Sequence, residues 1–184
     1  GDARSLEKAN DTFDAMVGGV PIIIQGVLLN PEHETYGIPD LLIRSDELAK
    51  LFPGSIEPEE ISKAAPDLLG ASWHYRVVDI KFRMLGLLVG GELDNSGSAP
   101  AYKLQLFVYN QALGRIQGFE PATSYLLGRG WTQREDRGSN CLERLAPVGQ
   151  AGTVANNRPI SDAVTEALRW IRDVRTEGVN WKIS

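Results

Sequence analysis

Apolar residues recur at three- and four-residue spacing from Leu6 through Ala9, Phe13, Met16 and Val17, with polar and charged residues between them. That period predicts a helix over residues 4–19, stopped by Gly18 and Gly19. The pattern then changes. "VPIIIQGVLLN" (20–30) is rich in β-branched residues and closes on Asn30-Pro31, which predicts a strand and a turn. "TYGIPDLLIRS" (35–45) predicts a second strand, and the two make a hairpin across "NPEHE". Residues 45–72 are polar and punctuated by Pro and Gly, with short helices in "DELAKLF" and "PEEISKAAPDLL"; they read as an insertion rather than as core.

The strongest strand pattern is "WHYRVVDIKFRMLGLL" (73–88), with a bend or turn expected near Gly86 or Gly90-Gly91. "DNSGSAP" is a loop by composition. In "AYKLQLFVYNQALGRIQG" (101–118), Leu104, Phe107, Val108, Ala112 and Leu113 mark the apolar stripe of an amphipathic helix. "ATSYLLGRGW" (122–131) returns to a strand, and "TQREDRGSN" (132–140) is a polar turn region. "SDAVTEALRWIRDVRTEG" (161–178) is a helix with Ser161 or Asp162 as N-cap and Gly178 beyond its end. The order helix, strands, helix, strand, helix predicts a mixed α/β domain.

Composition narrows this picture. At 184 residues and 42% hydrophobic, the chain is long enough for one domain that needs no covalent or metal staple. Its one cysteine, Cys141, cannot form an internal disulfide or carry an iron–sulfur cluster, so a reducing, cytoplasmic setting is the expectation. No apolar run is long enough for a membrane span and no basic-then-apolar leader opens the chain, so no membrane partner is expected. The Gly1 start and the abrupt end at "VNWKIS" suggest a domain excised from a larger protein. The net charge of −5 argues against coating nucleic acid by bulk charge, but says little about a local acidic site.

Candidate chemistry lies in "HYRVVDIKF". Strand side chains alternate, so Asp79 and Lys81 share one face while Val78, Ile80 and Phe82 share the other, apolar one. Charges in an apolar setting are costly unless they are paired or bind a metal. One reading is a salt bridge on a strand face. The other takes in Asp40, on the neighbouring predicted strand after Gly37-Ile38-Pro39. Two carboxylates on adjacent strands suit a hard divalent cation such as magnesium. A lysine beside them can orient water or neutralise charge on a phosphate.

"GIPD" followed by "VVDIK" resembles the PD-(D/E)XK nuclease superfamily, and "QLFVY" resembles the Gln-x-x-x-Tyr motif of its RecB-like exonuclease branch. On a helix Gln105 and Tyr109 lie one turn apart on one face in any case. The resemblance covers residues 20–130. It implies a restriction-endonuclease-like core, a central mixed sheet flanked by helices, and a Mg2+- or Mn2+-dependent DNA nuclease, exonuclease-like, of repair, replication or defence. It makes Asp40 and Asp79 metal ligands with the Ile80 carbonyl as a third, and Lys81 the catalytic lysine. Gln105 and Tyr109 would place the DNA backbone or the attacking water. The implied partners are single-stranded DNA or duplex ends, and other domains of a parent protein such as a helicase.

"PDLL" occurs twice, so Asp67 competes with Asp40; Asp67 follows a helical pattern and precedes Gly70, which favours Asp40. Glu7, Glu32, His33 and Glu34 are candidates for a further upstream ligand, with His33 also reading as a turn residue. Arg129, Arg134, Arg137 and Arg144 with Trp131 form a basic, aromatic stretch that suits phosphate and base, or a solvated loop of mixed charge. His74 and Tyr75 line the site or pack the strand edge. Trp170 and Trp181 pack the last helix or meet a missing domain. Cys141 has no evident His partner for thiol catalysis. The alternative to an enzyme is a non-catalytic nuclease-fold module that binds nucleic acid or acts as a scaffold; a weaker third option is a small-molecule phosphoesterase.

Overall fold

The computed structural model describes residues 5–181. The first helix, α1, spans Leu6–Val17, and Ser5 Oγ caps it by accepting the Lys8 N–H at 3.3 Å. The apolar run after it does not form one strand. It splits into β1 (Ile22–Ile24) and β2 (Leu28–Asn30), and its partner splits into β3 (Thr35–Gly37) and β4 (Leu41–Arg44). The distal halves close the expected hairpin across residues 31–34, Asn30 opposite Thr35, as a separate two-stranded sheet. The proximal halves pair in the main sheet, Ile22 opposite Ile43.

The split has a local cause. At Gly26 a Cβ would lie 2.9 Å from Leu42 Cδ1 and 3.0 Å from Thr12 Cγ2, so α1 and β4 close on bare backbone. Thr12 Oγ1 accepts the Val27 N–H there at 2.9 Å. The strand thus leaves the sheet with its backbone donor satisfied.

Residues 45–72 hold α2 (Ser45–Leu51) and α3 (Pro58–Ile61). The long central strand β5 (Tyr75–Leu87) follows, then α4 (Ala99–Gln117), β6 (Thr123–Gln133), β7 (Asp136–Gly138), β8 (Leu145–Gly149) and α5 (Ile160–Glu177). The main sheet has the order β1-β4-β5-β6-β7, with β8 also on β6. β5 and β6 run parallel and the other pairs antiparallel, so α4 is the crossover that a parallel pair requires. The molecule is α/β, a mixed central sheet flanked by helices.

Two apolar clusters separate along the sheet. Leu42, Val77, Leu126, Ala146 and Val148 pack with Met16 of α1, Leu106 and Leu113 of α4, and Val164 of α5. Ile43, Val78 and Tyr125 pack with Leu48 and Ile56. Residues 45–72, expected as an insertion, therefore supply core: Leu48 and Ile56 build the second cluster, and Ala65, Leu68 and Ala71 join the first. Their polar punctuation hides a few apolar anchors at irregular spacing. A buried network fixes them. Arg76, 1% exposed, pairs with Glu60 of α3, donates from Nε to His74 Nε2 at 2.8 Å and reaches the Thr123 carbonyl at 3.2 Å.

Three other expectations change. Ile80 and Phe82 do not share Val78's burial: they are 45% and 87% exposed, and neither belongs to the apolar cluster in which Leu48 and Ile56 cover Val78. Between Lys81 and Met84, β5 carries one residue more than β6, a bulge just past the site. The turn region 132–140 is part strand, since β6 runs to Gln133 and returns as β7. The last helix begins at Ile160 after Pro159, so neither Ser161 nor Asp162 caps it. Trp170 and Trp181 are 60% and 51% exposed. Among the described residues, no helix is long and apolar enough to cross a membrane.

Candidate active site

The expected constellation meets where β5 outruns β4. Among the described residues, no strand pairs with that edge of β5 between Val78 and the bridge of Leu87 to Leu93. Asp40, just ahead of β4, takes its place: Asp40 Oδ2 accepts the Ile80 N–H at 2.7 Å. A strand residue turns its N–H and C=O to the same edge, so the Ile80 carbonyl also lies on Asp40's side, clear of the ladder to β6. Asp79, one residue earlier, points to the face under α4 and is 3% exposed.

On that face the side chains form a continuous row. Asp79 pairs with Lys81. Lys81 Nζ donates to Gln105 Oε1 at 2.9 Å, and Gln105 Nε2 donates to the Tyr109 hydroxyl at 2.7 Å. An ammonium only donates, so the carboxamide must turn its oxygen to Lys81 and its nitrogen to Tyr109. The Tyr109 oxygen is then an acceptor within the row, which leaves its hydrogen to donate outward. Lys81 Nζ also lies 5.0 Å from the centre of the Tyr102 ring, a cation–π contact on its solvent side.

α4 holds this register from both ends. At its far end Gln117 Oε1 accepts the Tyr75 N–H at 2.8 Å, while Gln117 Nε2 donates to the Tyr75 and Phe119 carbonyls. Tyr75 to Lys81 is six strand residues, about 20 Å; Gln117 back to Gln105 is twelve helical residues, about 18 Å. The antiparallel helix and strand match in length, so Gln105 arrives at Lys81. From the hairpin side, Gly37 fits against the Tyr109 ring. A Cβ at Gly37 would lie 2.0 Å from Tyr109 Cε1, so only glycine allows β3 this close.

Electrostatics mark Asp79. Burial pushes its carboxyl above the ordinary range, the Lys81 ammonium pulls it back, and the neighbouring Asp40 carboxylate pushes it up again. Burial also raises the Tyr109 phenol. Asp79 Oδ2 is buried, in close contact with the Lys81 ammonium. Two neighbouring carboxylates, one of them buried, and a backbone carbonyl beside them fit a hard, oxygen-seeking cation.

The competing residues fall elsewhere. The Asp67 carboxylate lies against Gly118 at the far end of α4. Among the described residues no three His, Cys, Asp or Glu side chains form a group that could hold a metal ion. His74 and Tyr75 are structural: His74 sits in the Arg76 network, and the Tyr75 hydroxyl donates to the Val20 carbonyl at 2.6 Å. Arg129 stacks on Phe82 and Arg144 on Trp131, which gives the basic stretch ordered cation–π contacts. Three supporting residues escaped the sequence reading. Tyr102 lies one turn before Gln105 and helical spacing alone would have found it; Gln117 and the role of Gly37 depend on contacts across the fold. Compared with known proteins, the chain matches no family model and no curated protein.

Proposed function

We propose that this chain is a divalent-metal-dependent nuclease that hydrolyses DNA phosphodiester bonds, on a core of the restriction-endonuclease type. The observation that carries the reading is the unbroken row Asp79–Lys81–Gln105–Tyr109, with Asp40 bonded to the backbone between Asp79 and Lys81. The antiparallel β4–β5 pair followed by the β5–α4–β6 crossover supports the core assignment.

Asp40, Asp79 and the Ile80 carbonyl would hold Mg2+ or Mn2+. A cation held there would supply Lewis-acid polarisation of the phosphoryl group and neutralise part of its charge. The chain's own residues do the rest. Lys81, fixed by Asp79 and Gln105, sets a positive charge beside the phosphate and orients the attacking water. Tyr109 donates its outward hydrogen to a phosphate oxygen, and Gln105 keeps lysine and tyrosine at one spacing. Hydrolysis forms a P–O bond to the water oxygen and breaks the P–O bond to the leaving sugar oxygen; the water loses a proton and the leaving oxygen gains one.

Labelled single- and double-stranded DNA incubated with Mn2+ or Mg2+ tests this. Cleavage is expected with metal and none with EDTA, and Asp79→Asn and Lys81→Ala should each lower the rate at least ~100-fold while remaining folded. Absence of cleavage in both metals would sink the reading. DNA binding without cleavage would instead identify a non-catalytic binding module.

A further inference from the structure

Beside the catalytic row lies a cavity of about 370 Å3, most of whose walls take no part in the proposed chemistry. That volume falls in the range of small-molecule sites. Three elements wall it: Tyr36 from β3, Leu104 and Val108 from α4, and Leu168 and Ile171 from α5. Gln105 and Tyr109 line it too, so they belong to both the catalytic row and the cavity. Leu104 and Val108 are two of the residues assigned to the helix's apolar stripe, yet both remain partly exposed because they face this space. The rim carries two arginines and one carboxylate, Arg172, Arg175 and Glu34. Arg172 is held there by its contact with Glu34 at 3.7 Å and its hydrogen bond to the His33 carbonyl at 3.3 Å, and Arg175 stands one turn away, exposed on the same rim.

From this we infer that the cavity takes one unpaired nucleobase of the substrate strand, next to the phosphate at Tyr109, with Arg172 and Arg175 on the flanking phosphates. The inference rests on the nuclease reading and narrows its substrate. An apolar slot with one aromatic wall suits the face of a base, since stacking on a side chain tolerates any sequence. Its polar end is the Gln105–Tyr109 pair, where the sugar-phosphate must pass to reach Lys81. Two arginines against the single Glu34 carboxylate leave the rim net positive, which suits a phosphate backbone better than a neutral metabolite. A base seated there cannot pair, so the substrate is single-stranded DNA or a frayed end.

The experiment measures binding, not cleavage. Fluorescence anisotropy in EDTA compares the protein on a labelled oligodeoxythymidine, a blunt duplex and an abasic strand of equal length. The wild type should bind the oligodeoxythymidine about 10-fold or more tightly than either of the other two. Ala167→Trp, at an exposed α5 position that opens into the cavity, should erase that preference without moving the thermal midpoint. Arg175→Gln should weaken all strands alike and flatten the salt dependence. Equal affinity for the three probes, no binding by the wild type, or an unchanged preference in Ala167→Trp overturns the inference. The two readings fail separately: cleavage with metal but no base preference sinks the pocket, and base preference without cleavage sinks the nuclease.

Discussion

At the scale of single residues, Gly37 carries a consequence out of proportion to its size. Its lack of a side chain lets β3 lie against the Tyr109 ring, and a methyl there would overlap that ring at 2.0 Å. Gly37→Ala must therefore push Tyr109 off Gln105. A displacement of about 1 Å in such a row costs roughly 100-fold in rate, and the overpacking costs about 1–3 kcal/mol of stability. In a Tyr109→Ala background the same substitution should add almost nothing, because the clash has gone. Cleavage rates and urea midpoints for the four proteins check this; additive effects would show that Gly37 acts by another route. Much of the row was legible in the sequence. Two-residue alternation put Asp79 and Lys81 on one face, and helical spacing put Gln105 and Tyr109 on another. Asp40's bond to the Ile80 N–H was not legible, because it depends on where β4 stops along β5. Nor was the exposure of Ile80 and Phe82, apolar and in phase with Val78, because it depends on how far the cluster of Leu48 and Ile56 extends along β5.

At the scale of elements, the site depends on α4 lying at one register along β5. Gln117 sets that register by satisfying the Tyr75 N–H, the Tyr75 carbonyl and the Phe119 carbonyl. Gln117→Leu strands two buried polar groups and one partly buried, and a loss of about 2–4 kcal/mol is expected. The lower urea midpoint should come with an unchanged slope, faster exchange of the Tyr75 amide, and a reduced cleavage rate although Gln117 is some three turns of helix from Gln105. A stable variant with a fully protected Tyr75 amide would refute the tether. The long helices were legible because a 3.6-residue period is written within each segment. The division of one apparent strand into β1 and β2, and the core role of residues 45–72, were not. Each depends on contacts between distant segments: Gly26 against Leu42 and Thr12, and Leu48 and Ile56 against Val78 and Tyr125.

For the whole molecule, the second apolar cluster is joined to the sheet through Arg76, Glu60 and His74, and that junction makes stability depend on pH. His74 Nε2 accepts from Arg76, so Nδ1 carries the hydrogen and donates to the Lys63 carbonyl at 2.9 Å. Burial, with Arg76 close by, holds the imidazole neutral and lowers its pKa from 6.5 to about 4. An unfolded chain takes up a proton there below about pH 6.5 and the folded one does not until about pH 4. Stability is therefore complete above about pH 6.5 and falls as pH drops toward 4, by up to roughly 3 kcal/mol from this group. Glu60, held down by Arg76, steepens the fall at the acid end, whereas Asp79, raised by burial, opposes it. The chain has only two histidines, so proton NMR can follow His74 directly. Its ring resonances should stay in the neutral, Nδ1-protonated form to about pH 4. His74→Gln, whose carbonyl can still accept from Arg76, should flatten the stability profile between pH 6.5 and 4. A His74 that titrates near 6.5, or a profile unchanged in the variant, would show that the junction is not held by a neutral imidazole.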